Sequence, residues 1–391
     1  MTTKDSPGPA TRLIHAGAAP ARMAKTVGPP IQRGSTVLLP DAAALYDEAQ
    51  PTYGRGGLAT QETLMSALAE LEDARAVCLF PSGLAALAGA MLAVLKAGDE
   101  VIVSDAVYKP TRRFCDRVLG RFGVAVRYCH ARADCDAVMT LTRPATRLIV
   151  LESPGSLTFE MQDTPAIAAA ARAAGVLTLI DNTWAAGHFF KPLAHGIDIS
   201  VQSLTKYVGG HADVFMGAAA VADPALVKAL DEAILDFGWA VSPDDAYQML
   251  RGLRTLATRM ARHQESGLTV AQWLKVQPEV IDVLHPALEG ARGHVLWRRD
   301  FTGAAGLFGV VLQPTPPRAV HAFLDALSLF GLGFSWGGFE SLALHGDPQL
   351  AARSFPPHLG GPIVRLNIGL EDPADLIADL RVGLDVFNAA R

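Results

Sequence analysis

Apolar and polar positions change their rhythm three times along the chain. Residues 1 to about 60 show no sustained period and carry Pro29-Pro30, Pro40 and the cluster Gly54-Arg55-Gly56-Gly57. Such a segment cannot build a core of its own and is expected to lie across something else. From Gln61 to Asp73 the spacing predicts a helix, and Ala76 to Phe80 reads as a short apolar strand. Pro81-Ser82-Gly83 then turns the chain into an Ala/Leu-rich helix that ends near Gly98. Further strands are expected at Glu100 to Ser104, Arg147 to Leu151, Val176 to Ile180 and Ile197 to Ser203. Short apolar strands alternating with helices imply an α/β fold with a mostly parallel sheet covered on both faces.

Near residue 245 the pattern becomes helical, with Leu250, Leu253, Ala257 and Met260 at three- and four-residue steps, and it continues toward Trp273. Strand-like runs follow at Phe308 to Leu312, Leu342 to His345 and Ile363 to Ile368, with helices from Ala319 and Pro373. Asp372-Pro373 is an N-cap followed by proline in the first turn. The chain therefore divides into an arm (1–58), a large α/β domain (59–245) and a smaller C-terminal α+β domain (246–391).

Composition narrows the function. The chain has 391 residues, of which 50% are hydrophobic and 19% charged, enough to bury a large core. Its net charge of -5 lacks the basic excess of a nucleic-acid binder. No apolar stretch reaches the ~18 residues of a membrane span. With Lys4 and Asp5 ahead of Pro7 there is no apolar leader, so a cytoplasmic protein is expected. The four cysteines (78, 115, 129 and 135) form no CxxC pair, and the histidines form no HExxH; no metal site is expected.

In open parallel sheets ligands bind beyond the carboxyl ends of the strands. After the first strand comes Ser82-Gly83-Leu84, a helix start suited to phosphate but ordinary when taken alone. Tyr108 follows the next strand, Asp181-Asn182-Thr183-Trp184 follows a later one, and Ser203-Leu204-Thr205-Lys206 ends the last. A lysine amine can condense with the aldehyde of pyridoxal phosphate, and a carboxylate can keep its pyridine nitrogen protonated. Ser203 and Thr205 add hydroxyl donors. Together at one sheet edge, these residues point to that cofactor.

Tyr53-Gly54-Arg55, Ser82-Gly83, Asp181-Asn182-Thr183 and Ser203-Leu204-Thr205-Lys206 resemble the pyridoxal-phosphate enzymes of cysteine and methionine metabolism, and the resemblance spans nearly the whole chain. It implies the aspartate aminotransferase-like fold (fold type I). Glu152-Ser153-Pro154-Gly155-Ser156, Asp181 through Gly187, Arg251 through Leu256 and Ser335-Trp336-Gly337-Gly338 are most similar to the bacterial cystathionine β-lyase branch. That branch implies β-elimination of L-cystathionine to homocysteine, pyruvate and ammonia in methionine biosynthesis. A lyase acting on cystine or cysteine, or a γ-lyase or γ-synthase of the family, is the alternative.

The resemblance also implies roles. Lys206 would carry the cofactor and shuttle protons, Asp181 would pair with the ring nitrogen, and Tyr108 would stack on the ring and share in proton transfer. Ser82, Gly83, Leu84, Ser203 and Thr205 would hold the phosphate. Tyr53 and Arg55 would do so from the neighbouring subunit of a homotetramer built from dimers, Tyr53 also facing substrate. Arg365 would clamp the substrate carboxylate, although a strand whose Val364, Leu366 and Ile368 share one face can point the intervening arginine into water. Ser335 and Trp336 would line the pocket beside it. One departure concerns a substrate-side tyrosine usual in such lyases: there is none between Tyr207 and Tyr247, where Ile234 or a neighbour stands.

Overall fold

A computed structural model describes residues 8–16, 26–47 and 50–391. Part of the anticipated arm, including Lys4 and Asp5, lies outside these. The large sheet contains β1 (Ala76–Phe80), β2 (Glu100–Ser104), β3 (Ala125–Cys129), β4 (Thr146–Glu152), β5 (Leu177–Asp181), β6 (Ile199–Ser203) and β7 (Gly217–Val221). Its order is β1-β7-β6-β5-β4-β2-β3. The run from β3 to β6 is parallel, and only β7 is antiparallel to both its neighbours, β1 and β6.

Burial on both faces explains why these strands are almost uninterruptedly apolar. Val101 and Val103 of β2 pack into one core with Leu148 and Val150 of β4, while Ile102, Ile149 and Leu151 enter the core on the opposite face. Each such side chain contributes ~1.5–3 kcal/mol when removed from water.

The second sheet contains β8 (Val280–Leu284), β9 (Leu307–Leu312), β10 (Gly331–Leu332), β11 (Leu342–His345) and β12 (Ile363–Asn367), in the order β10-β11-β12-β9-β8. Helices Pro317–Asp325 and Pro373–Ala390 bury Phe323, Leu380 and Phe387 with Phe308, Val310 and Leu366 of this sheet. The single helical run expected from residue 245 is two helices, Pro243–Arg254 and Leu256–Lys275. They part at Thr255, where the Gly252 carbonyl accepts both the Thr255 N–H (3.1 Å) and the buried Arg259 guanidinium (2.7 Å). The second helix joins the two cores: Leu256 and Met260 lie in that of the large sheet, Val270 and Leu274 in that of the small one.

Within the described part of the arm, helix Pro9–His15 rests on its own chain. Leu13 is buried with Leu64 and Leu68, and Arg12 Nε donates to Glu70 Oε1 at 2.5 Å.

Candidate active site

A cavity of about 480 Å³ opens where the carboxyl ends of β4, β5 and β6 face the second sheet. Ser82, Gly83, Leu84, Tyr108, Asp181, Ser203, Thr205, Lys206, Trp336 and Arg365 all line it. Ser335 meets it through Lys206, whose Nζ donates to Ser335 Oγ at 2.7 Å and lies 5.6 Å from the centre of the Trp336 ring. Tyr53 and Arg55 do not line this cavity. Tyr53 is 53% exposed, with the Arg55 guanidinium 5.7 Å from its ring centre.

One end of the cavity is built for an anion. Ser82 caps the helix Gly83–Val94, its Oγ accepting the N–H of Ala85 at 3.1 Å. The N–H groups of Gly83 and Leu84 are left without an acceptor among the described residues. They point with the positive end of a helix dipole. Position 83 must be glycine for a steric reason: a Cβ there would stand 2.5 Å from Ser203 Cβ. The two anticipated phosphate-binding segments are thus in contact. Thr205 differs from its neighbours, because its hydroxyl is already paired with Met216, donating to the carbonyl at 3.2 Å and accepting the N–H at 3.0 Å.

Asp181 and Lys206 form the middle of the wall. Asp181 is half-buried at the end of β5, and its desolvation raises its pKa; Thr183 opposes this by giving Oδ1 its N–H (3.0 Å) and its hydroxyl (2.5 Å). Thr183 Oγ1 also accepts the N–H of Ser203 at 2.9 Å, so one threonine fixes the ends of β5 and β6 together. The Lys206 ammonium is pulled down to about 8, first by burial and then by the charge of Arg365, while Asp181 acts the other way. Near neutral pH about a tenth of it is the free amine.

Arg365 is 6% exposed, so the alternative that it points into water does not hold. The alternation along β12 holds, but the face opposite Val364 and Leu366 is the cavity wall rather than solvent. Its guanidinium donates to the carbonyls of Gly333 (3.1 Å), Phe334 (3.2 Å) and Ser335 (2.8 Å), and Nε finds no partner. Burial lowers its pKa to about 10. A buried cation facing only carbonyls is a receptor for an anion.

Several wall residues have no role assigned from the sequence. Thr183 and Glu152 had a signal available, being polar groups next to or at the end of an apolar strand run. Arg353 had none. It pairs with Glu160 at 3.2 Å and donates to the Ser156 carbonyl at 2.6 Å, fastening the segment before β12 to the loop after β4. Ile234 is partly buried against the large-sheet core and does not line its own chain's cavity.

A family model described as Cys/Met metabolism PLP-dependent enzyme matches residues 10–385. The cystathionine beta-lyase of Bordetella avium is 43% identical, with 96% of this chain and 97% of that protein covered. The cystathionine beta-lyase MetC of Escherichia coli is 41% identical, covering 95% of this chain and 97% of its own. The crystal structure of metB from Corynebacterium glutamicum superposes with a TM-score of 0.92 at 30% identity, covering 97% of this chain and 98% of that one.

Proposed function

The chain belongs to the Cys/Met metabolism PLP-dependent enzymes, and on that premise we propose that it is a carbon–sulfur lyase cleaving L-cystathionine by β-elimination. The observation that carries this reading is the convergence of Lys206, Asp181 and Arg365 on one cavity. The residues fit pyridoxal phosphate: the glycine-dependent contact of Gly83 with Ser203 leaves a cradle of unpaired N–H donors, and Asp181 presents an acidic oxygen. Ser82, Gly83, Leu84 and Ser203 would hold the phosphate, joined by Thr205 once its hydroxyl is exchanged from the Met216 carbonyl, with Asp181 at the ring nitrogen and Tyr108 on the ring face. When bound, the cofactor supplies an aldehyde that captures amines and a ring that accepts negative charge from the substrate α-carbon.

The chain's own groups do the rest. Arg365 binds the α-carboxylate as a two-pronged donor once its carbonyl contacts are exchanged, fixing the substrate against the Ser335–Trp336 wall. Lys206 Nζ takes the α-proton, its amine freed at neutral pH by burial and by the charge of Arg365. The β-carbon–sulfur bond breaks, and Lys206 or the Tyr108 hydroxyl returns a proton to the leaving sulfur. Homocysteine leaves first, and water converts the remaining three-carbon fragment to pyruvate and ammonia.

Tyr53 and Arg55 belong in this reading to the cavity of a second copy, in a homotetramer assembled from dimers with shared sites. The exposure of Tyr53, and of Phe215 and Phe334 at the cavity rim, supports a partner covering that face. No helix among the described residues is long and apolar enough to cross a membrane. We place the enzyme in the cytoplasm and in methionine biosynthesis.

Incubation with L-cystathionine tests the reaction. Pyruvate and homocysteine are expected in equal amounts, and 2-oxobutyrate as the main product would replace β- by γ-elimination. Arg365→Leu is expected to lower kcat/KM for cystathionine by ~10²-fold, because loss of the clamp misplaces the α-proton relative to Lys206. Unchanged steady-state constants in that variant would remove Arg365 from the site.

A further inference from the structure

Glu152 ends β4 on the cavity wall and has no part in the chemistry above. In the parallel register of β4 and β5 it stands directly beside Asp181. Two half-buried carboxyl groups on adjacent strand ends are costly to place without strong partners. Those of Glu152 are specific: Oε2 accepts the backbone N–H of Tyr108 at 2.6 Å, and Oε1 accepts the hydroxyl of Ser156 at 2.5 Å. Tyr108 is the residue before helix Lys109–Arg117, has no side-chain cap of its own and is 42% exposed over the cavity. Among the described residues, its backbone N–H is held by Glu152 alone.

We infer that Glu152 is a positioning residue that fixes Tyr108 at the cavity wall, so that the tyrosine ring is held ready over the cofactor site. The inference rests on the proposed pyridoxal-phosphate reading, since the ring needs a partner to stack on. Ser156 completes the device: its own N–H is bonded to the Ala106 carbonyl at 2.8 Å, which ties the loop after β4 to the loop after β2. Glu152 therefore spans the loops that carry Ser156 and Tyr108. Burial and the neighbouring Asp181 charge raise the Glu152 pKa, and the Ser156 hydroxyl and the Tyr108 N–H oppose them by donating to the ionised carboxylate.

A double-mutant cycle tests the connection, with pyridoxal phosphate added to apoprotein and its binding followed by visible absorbance. Glu152→Ala is expected to weaken cofactor binding ~10-fold in the native background, the order of one aromatic stacking contact, and less than ~2-fold when Tyr108 is already alanine. Glu152→Gln keeps an acceptor for the Tyr108 N–H and is expected to bind within ~2-fold of the native chain. Equal losses from Glu152→Ala in both backgrounds, or no loss in either, would overturn the inference. So would a Gln variant as weak as the Ala variant. Failure of the native chain to bind pyridoxal phosphate at all would instead overturn the family-based cofactor reading, so the two failures are distinguishable.

Discussion

Lys206→Ala is expected to lower pyruvate formation from L-cystathionine by ~10³-fold or more and to abolish the visible absorption of lysine-linked cofactor. The size of the effect follows from the absence of a substitute. Lys109 is the other lysine on the cavity wall, but it is exposed at the start of its helix, whereas Lys206 is partly buried and bonded to Ser335 Oγ. Burial and Arg365 hold its amine down to about 8, and no lysine in open solvent receives that treatment. The linkage sign is the usual one for a lowered lysine: folding favours the neutral amine, so this group contributes stability at high pH that is lost as pH falls through about 8. Alanine removes that pH-dependent cost, so the variant should be no less stable than the native chain below pH 7. Thermal melts at pH 6.5 beside the activity assay separate lost chemistry from lost fold. A folded variant that still forms pyruvate at a tenth of the native rate would remove Lys206 from the reaction.

Asp181→Asn is the second large effect, with kcat expected to fall ~10²–10³-fold while pyridoxal phosphate still binds. Asparagine keeps an oxygen that can accept both the N–H and the hydroxyl of Thr183, so the strand end stays in place and only the charge is lost. Glu152 is the nearest acid along the sheet edge, yet it cannot take over. Both its oxygens are engaged, one by Tyr108 and one by Ser156. The measurement is kcat at saturating cofactor, with bound cofactor counted by absorbance. Native kcat in the Asn variant would show that the ring nitrogen needs no carboxylate here.

Much of the large sheet was legible because its strands are buried on both faces and therefore read as apolar runs. Ala76–Phe80 and Glu100–Ser104 fall where the sequence puts them, and β4 and β5 differ by a residue or so. The strands that escaped are those whose residue types are set by neighbours. β7 is Gly-Ala-Ala-Ala-Val, a poor strand former by composition. It forms because β1 and β6 pair with it on both sides, and its small residues are required there: a Cβ on Gly217 would stand 2.3 Å from the Ser82 carbonyl oxygen. β3 lies at the sheet edge and mixes Arg127 and Tyr128 with apolar residues, which blurs its period.

The site divides along the same line. Lys206, Asp181, Tyr108 and Ser82 could be picked out because each follows an apolar strand, and in a parallel sheet all such positions reach one edge. Thus the sequence by itself determined the strand ends and the residue types that the chemistry needs. Which strand ends are neighbours is a property of the sheet order. Only the tertiary structure set Glu152 of β4 against Asp181 of β5, and folded Arg365 of the second sheet over the same cavity. The reason is physical: local pattern fixes the direction in which a side chain leaves its own strand, while the burial and charges that tune it come from residues far away in the chain.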